Sequence, residues 1–167
     1  MMWPSIALLT FVTLQRFGEL VLARRNTAAL LARGAREVAP EHYPAMVALH
    51  AGWIVGLWLL APGRPVELFW FAVFIGLQAL RLWVLATLKD RWTTRIIILP
   101  GAPLIMSGPY RFLRHPNYAI VVGEIAALPL AFDLPFYAIG FSLLNACVLY
   151  VRMKAENAAL KSAVIMK

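Results

Sequence analysis

Long apolar runs closed by charged or turn-forming residues dominate the chain. Three of them lie near Trp3–Ala23, Pro44–Ala61 and Val66–Leu88, and a fourth apolar region extends from Tyr118 to Val151. A helix that crosses a bilayer needs about 20 mostly apolar residues, so each of the first three is read as one span. The fourth is too long for one span, and Phe132-Asp133-Leu134-Pro135 breaks it near its middle. That break predicts a helical hairpin, with a short span to about Ala131 and another from Pro135 to about Arg152. The short alternating segments of a β-barrel are not found in these continuous runs. The predicted fold is therefore all-α integral membrane, with about five transmembrane helices, the last two a short hairpin.

The polar segments between the runs carry their own signals. Arg24 to Tyr43 reads as a short amphipathic helix, with Leu30, Leu31 and Val38 against Arg33, Arg36 and Glu37, closed by Pro40. Lys89 to Pro116 holds Pro100, Gly101, Pro103, Gly108 and Pro109, a composition that predicts an irregular lid whose glycines leave backbone N–H and C=O groups free to bind something. Beyond Arg152, Ala155, Ala158, Ala159 and Val164 are spaced against Lys154, Glu156 and Lys161, which predicts that the last helix continues out of the membrane. Basic residues cluster after the first, third and fifth spans, and the other loops carry only Arg64. The positive-inside rule then puts the N-terminus outside, with both long loops and the C-terminus in the cytoplasm. The first run has no basic segment before it and is interrupted by Arg16 and Glu19, so it is read as a retained span and not a cleaved signal.

Composition narrows the chemistry. The chain is 62% hydrophobic over 167 residues, against roughly 45–50% in soluble domains, and its mean hydropathy is +0.73. A net charge of +8 on so apolar a chain is loop charge that sets topology, which leaves nucleic acid out as a partner. The lone Cys147 excludes a disulfide framework and a cysteine metal site. His42, His50 and His115 have no metal-ligand spacing, and no dinucleotide glycine motif, P-loop, His-Glu-x-x-His or serine elbow occurs.

Ionisable residues inside spans are costly, so their depth carries information. Glu19 lies about one turn, and His50, Arg81 and Glu124 about two turns or roughly 10 Å, from the cytoplasmic ends of their helices. That convergence predicts a polar-floored cavity open to the cytoplasm, extended by Gln78 on the face of Arg81. The alternative for each residue is a structural pair, with Arg16 or Arg81 neutralised by Glu19 or Glu124 and His50 a satisfied core histidine. Arg152 and Glu156, four apart, share a helix face. They form either a salt bridge or a split site, the arginine for an anion and the glutamate for the donors of a second ligand.

Between the third run and the hairpin stands Ser107-Gly108-Pro109-Tyr110-Arg111-Phe112-Leu113-Arg114-His115-Pro116-Asn117-Tyr118. This spacing, with Leu80-Arg81-Leu82-Trp83 and Trp92-Thr93-Thr94-Arg95 before it and the hairpin and Arg152-x-x-x-Glu156 after it, resembles the isoprenylcysteine carboxyl methyltransferase family. The resemblance covers roughly the C-terminal half and implies a division into residues 1–65, N-terminal helices and loop, and residues 66–167, the catalytic core. It implies S-adenosyl-L-methionine as cofactor and S-adenosyl-L-homocysteine as product. It places cofactor contacts at Arg95, the backbone of Ala102, Pro103, Leu104 and Ile105, Tyr110, His115, Pro116, Asn117, Tyr118 and Glu156. Arg152 would meet the acceptor, with Arg81 and Trp83 on the acceptor side, and Glu19, His50 or Glu124 would act as base if the acceptor is a phenol. The family's usual Glu-Glu pair is here Glu156-Asn157, and its usual Gly two residues past the motif Tyr is Ile120.

Gln15-Arg16-Phe17-Gly18-Glu19-Leu20, Arg25-Asn26, His42-Tyr43 and His50 resemble a narrower bacterial branch, similar to the enzymes that O-methylate alkylpyrones or alkylresorcinols. That implies a lipophilic acid or enol, in preference to a prenylated protein, as the acceptor, and a bacterial inner-membrane location among membrane lipids. A phospholipid N-methyltransferase, a membrane NADPH-dependent reductase and a non-catalytic membrane scaffold are the competing readings. The basic pocket at Arg152 suits an anionic acceptor better than an amine.

Overall fold

A computed structural model describes residues 3–165, and side chains as far as Leu160. Among the described residues it contains five α-helices: α1 Trp3–Ala32, α2 Tyr43–Leu60, α3 Leu68–Leu88, α4 Pro116–Ala131 and α5 Pro135–Ile165. Four helical stretches, Trp3–Ala32, Pro40–Leu60, Leu68–Arg91 and Pro135–Leu160, are long and apolar enough to cross a membrane. The all-α membrane class therefore holds. α4 has 16 residues, about 24 Å of helix against a hydrocarbon core of about 30 Å.

One boundary differs from expectation. The first helix does not stop at Ala23, and Arg24 to Tyr43 is not a separate amphipathic helix. The sequence from Arg24 to Ala32 contains no breaker, so α1 runs on until Gly34, whose φ of 87° closes it. Ala35 N–H bonds to Leu30 O and Gly34 N–H to Leu31 O, each at 3.0 Å, the pattern of a helix stopped by a left-handed residue. The chain then forms β1, Arg36–Glu37, which pairs antiparallel with β2, Ile97–Ile98, and Val38 N–H reaches Ile96 O at 2.9 Å. α5 is one 31-residue helix that carries the last span on beyond Arg152. Its continuation past Arg152 was expected, although the side chains of Lys161 and Val164 lie outside the described set.

The hairpin turn falls where predicted. Asp133 takes a φ of 53° and Leu134 N–H bonds back to Pro129 O at 3.0 Å, so α4 ends and Pro135 starts α5. α4 is buried on most sides, at Tyr118, Ile120, Glu124, Ile125, Ala127 and Leu128 among others. It packs between α3 and α5, and at Gly123 a Cβ would lie 2.9 Å from the Leu77 side chain. One apolar core joins Leu9 and Val12 of α1, Trp53 and Leu57 of α2, Phe74 of α3 and Leu128 of α4. A second, Ala23, Val84, Trp92 and Ile120, lies nearer the loops, with Tyr110 packed against it. Large apolar side chains such as Leu14, Phe17, Leu59, Leu82, Phe136 and Leu143 face outward, as a lipid solvent requires.

The long second loop is mostly irregular, as expected of a lid, but it is tied down. Asn26 Nδ2 donates to Lys89 O at 3.0 Å and Trp92 O at 2.8 Å, and Arg33 pairs with Asp90 at 2.9 Å. The extension of α1 and the two-stranded clasp thus hold the loop from the N-terminal side.

Candidate active site

Pro116 at the first position of α4 has no N–H to lose and is preset for helix, so the turn that carries His115 is fixed against the helix start. Tyr118 follows in the first turn, with its ring stacked on His115 at 5.3 Å between centroids. From the facing helix α5 come Arg152 and Glu156, one turn apart on one side. The Tyr118 hydroxyl joins them: it accepts from Arg152 Nε at 2.7 Å and donates to the Glu156 carboxylate. Asn157 Oδ1 lies 3.1 Å from His115 Nε2, and Glu156 Oε1 lies 3.8 Å from its Nδ1.

Arg152 is 5% exposed. Its Nη1 donates to Thr94 O at 2.7 Å and to the Met46 sulfur at 3.0 Å, and lies 3.5 Å from His42 Nε2. Its Nη2 makes no hydrogen bond within the described residues. No carboxylate among them stands within 4.0 Å of this guanidinium, so a buried cation is left without an ion-pair partner. The salt bridge with Glu156 that the i, i+4 spacing allows is not formed, because the Tyr118 hydroxyl is interposed.

A cavity of about 830 Å³ adjoins this group, within the size range of small-ligand sites. It takes its apolar walls from the 96–106 loop and its polar ones from Arg95, Tyr110, His115, Asn117, Tyr118, Arg152, Glu156 and Asn157. Of the family-implied cofactor contacts, Leu104 and Ile105 also line it. Ala102, Pro103 and Pro116 support it from outside: the Ala102 N–H bonds to Leu99 O at 3.2 Å, Pro103 O accepts from Arg91 at 2.7 Å, and Pro116 is buried at the helix start. Two buried polar atoms on lining residues have no partner, Asn117 Oδ1 and Trp92 Nε1. An orphaned acceptor and an orphaned donor, an isolated cation and a carboxylate around an apolar hollow fit a cofactor with an adenine, a ribose and an amino acid. Burial, with the charge of Glu156 second, pushes the Tyr110 phenol up to about 12.

Arg95 is placed at the rim, with a partner that sequence reasoning did not assign. Its Nη1 donates to Glu37 Oε1 of β1 at 2.7 Å, and its guanidinium lies 4.2 Å from the Tyr43 ring centroid. The hydrogen bond to Glu37 is the main influence that raises its pKa above the ordinary guanidinium value. In the sequence Glu37 reads as part of the polar face of an amphipathic helix and His42-Tyr43 as part of the bacterial-branch pattern, while Met46 carries no signal. Nothing in local periodicity shows that β1 and the start of α2 close over the site.

The polar residues expected to floor a cavity are arranged differently. Glu124 receives Arg81 through two nitrogens, Arg16 Nη2 at 2.6 Å and Gln78 Nε2 at 2.7 Å. Glu19 receives Arg16 at 2.8 Å and Arg81 at 3.2 Å. Gln15 closes the ring on Gln78 at 2.7 Å and Glu19 at 3.0 Å. Apart from the buried Arg16 Nε, which has no partner, these groups satisfy one another, and none lines the cavity. His50 is held by its own helix, Nδ1 to Met46 O at 2.9 Å. Trp83 is 46% exposed on α3 and also lies outside the cavity lining. The convergence in depth is thus real, and ion pairing explains it.

Comparison with known proteins supports the same assignment. The model of the isoprenylcysteine carboxyl methyltransferase family matches residues 70–162, more than half of the chain. The uncharacterized protein YpbQ of Bacillus subtilis is 35% identical over 96% of this chain and 97% of its own length. An uncharacterized protein of Haemophilus influenzae is 26% identical over 87% of this chain and 88% of its own. No solved structure matches. With membrane-length helices, the signature turn packed on Arg152 and Glu156, and this match over its C-terminal half, the chain belongs to the isoprenylcysteine carboxyl methyltransferase family of membrane methyltransferases.

Proposed function

We propose that the protein moves a methyl group from S-adenosyl-L-methionine to an oxygen of a lipophilic, membrane-partitioned acceptor: a carboxylate, an enol or a phenol. The observation that carries the reading is Arg152, a buried guanidinium with no carboxylate partner, held by a phenol, a backbone carbonyl and a thioether at the edge of the cavity. An unpaired buried cation is costly, and an anionic or anion-forming ligand relieves that cost.

S-adenosyl-L-methionine supplies an electrophilic methyl group on a sulfonium. In this reading His115, Asn117, Tyr118 and Glu156 hold it, with Leu104 and Ile105 against its apolar parts and Arg95 at the rim. Glu156 places negative charge in the cavity, and Arg152 positive charge on the acceptor side. Arg152 orients the acceptor oxygen and favours its anion. Alignment of this kind accounts for about 7–11 kcal/mol of a bimolecular barrier. The acceptor's chain reaches the site from the bilayer, while the cofactor comes through the cytoplasmic loops. In this reading the N-terminus lies outside a bacterial inner membrane and the Arg95 and His115 loops inside, as the loop basic residues favour. The resemblance to alkylpyrone and alkylresorcinol methyltransferases favours a small lipid over a prenylated protein.

Calorimetry on the purified protein tests the reading. Saturable binding of S-adenosyl-L-methionine and S-adenosyl-L-homocysteine is expected, abolished by His115→Ala and by Glu156→Ala in folded protein. Unchanged affinity in both variants would remove these residues from the site, and absence of binding to the native protein would remove the function.

A further inference from the structure

Glu19 and Glu124 each hold two arginines, and His50, two turns along α2 from His42, makes no hydrogen bond to Arg152 among the described residues. At Arg152 itself two ionisable side chains lie within reach, Tyr118 and His42. The Tyr118 hydroxyl is fully used, since it accepts from Arg152 and gives its proton to Glu156. His42 is different. A guanidinium nitrogen can only donate, so the His42 Nε2 that faces Arg152 Nη1 presents its lone pair, and the ring proton sits on Nδ1, where it bonds to Ala39 O.

That tautomer is set by an unusual backbone. Ala39 adopts φ 47° and ψ 58°, a left-handed conformation in a non-glycine residue directly before Pro40. Such a conformation costs of order 1–3 kcal/mol and is disfavoured before proline. The turn that it makes, Pro40–His42, delivers the Ala39 carbonyl to His42 Nδ1 and aims Nε2 at Arg152. A strained turn that fixes one histidine tautomer beside an unpaired buried arginine has the form of a positioned base.

We propose that His42 is the group that takes the proton from a hydroxyl acceptor held at Arg152. This inference rests on the methyltransferase reading above and adds the group that deprotonates those acceptors that arrive as phenols or enols. The acceptor's O–H bond breaks and its proton goes to Nε2, then to water. The oxygen's electron pair forms the bond to the methyl carbon, and the pair of the broken carbon–sulfur bond stays on sulfur.

The test uses the full-length protein in lipid nanodiscs and an ortho-nitrophenol bearing a long para-alkyl chain, whose absorbance separates phenol from phenolate without turnover. At a pH where the free probe is the phenol, native protein binds it as phenolate. His42→Asn and His42→Gln bind it with a phenolate-to-phenol ratio lower by about tenfold or more. In turnover both variants lose about 10²-fold or more in kcat on a plain alkylphenol, the contribution of a positioned base. That loss shrinks across phenols of rising acidity, a trend that a purely structural histidine would not produce. Binding of S-adenosyl-L-homocysteine to the variants stays within about threefold of native.

An unchanged probe spectrum in both folded variants, or an equal loss on every acceptor, overturns the assignment of His42. Should neither variant fold, ¹⁵N spectra of the native protein's three histidines decide: the probe must convert His42 to imidazolium, and a ring that stays neutral overturns the proposal. Failure of the native protein to bind S-adenosyl-L-homocysteine instead sinks the methyltransferase reading, which the probe spectrum does not depend on.

Discussion

Two buried arginines in this molecule live under opposite conditions. Arg81, 2% exposed, gives its nitrogens to Glu124 and Glu19, and with Arg16 it makes a quartet of two cations and two anions across α1, α3 and α4. Arg152, 5% exposed, has a phenol, a carbonyl oxygen, a sulfur and an imidazole, and no anion. The first arrangement balances its charges, with only the buried Arg16 Nε left without a hydrogen bond, so it needs no counter-charge from outside. The second holds a charge that protein groups only partly satisfy, which is the condition for recruiting a ligand. Both sit where charge is expensive, and the difference is whether the chain itself supplies the counter-charge.

The sharpest way to break the comparison is to open the closed quartet. Glu124→Leu strands Arg16 and Arg81 with only Glu19 between them. Removing one member of a buried ion pair costs about 3–5 kcal/mol, and unfolding in mixed micelles should show a loss of that size. Replacing all four residues by apolar ones of similar volume should recover most of it, because no orphan charge remains. If Glu124→Leu keeps its stability while losing turnover, the quartet has a role in the reaction and the contrast with Arg152 fails.

Arg152→Ala should behave in the reverse manner. No buried carboxylate loses its only partner, since Glu156 keeps the Tyr118 hydroxyl, so the fold should survive. Turnover should fall about 10²–10³-fold, as when a preorganised donor to a developing or bound oxyanion is removed, while S-adenosyl-L-homocysteine affinity changes little. Arg152→Lys should recover only part, because an ammonium cannot reproduce the planar fork that spans Tyr118 and Thr94. Full activity in Arg152→Ala, measured with the alkylphenol and carboxylate acceptors, would take Arg152 out of the acceptor site.

This contrast also separates what was legible in the sequence from what was not. The spans, the hairpin at Asp133 and the pairing of Arg152 with the Arg-His-Pro-x-Tyr turn were readable, because continuous apolar runs, a left-handed turn before proline and an i, i+4 spacing are local signals. Depth placed Glu19, Arg81 and Glu124 together but not their orientation. Depth along a helix axis says nothing of rotation about it, and rotation decides between a cavity floor and an ion cluster. The N-terminal contribution was the least readable part. The clasp of β1 with β2 is two residues on each strand, too short for any period. Glu37 and His42 therefore reach Arg95 and Arg152 through tertiary contacts between residues more than 50 positions apart.

A smaller effect probes the link between the two halves of the open site. The Tyr118 hydroxyl joins Arg152 to Glu156, and Tyr118→Phe keeps the ring stacked on His115 while it removes that link. Arg152 Nε then loses its partner and the fork is less well held. We expect acceptor KM to rise about tenfold, worth about 1.4 kcal/mol, with cofactor affinity reduced less. Equal losses for both ligands would make Tyr118 a cofactor contact first and a link second.

The smallest expected effect reads the charge of the open site through a bystander. Tyr110 packs beside Trp92 and lines the cavity, and burial together with the charge of Glu156 lifts its phenol from 10.0 to about 12. Between these values the unfolded chain gives up the proton that the folded chain keeps. The unfolded state therefore binds fewer protons, and stability falls as pH rises through that window, with the contribution intact below pH 10. Tyr110 is partly solvated, so the effect should be under about 1 kcal/mol. Tyr110→Phe should remove this share of the alkaline slope in denaturant titrations, and Glu156→Gln should remove a smaller part by lifting the nearby negative charge. If Tyr110→Phe leaves the slope unchanged, the phenol titrates as it does in water, and the negative side of the cavity facing Arg152 is weaker than the arrangement of Glu156 implies. A null result for Glu156→Gln alone would leave burial as the whole cause and confine the field of Glu156 to Tyr118 and His115.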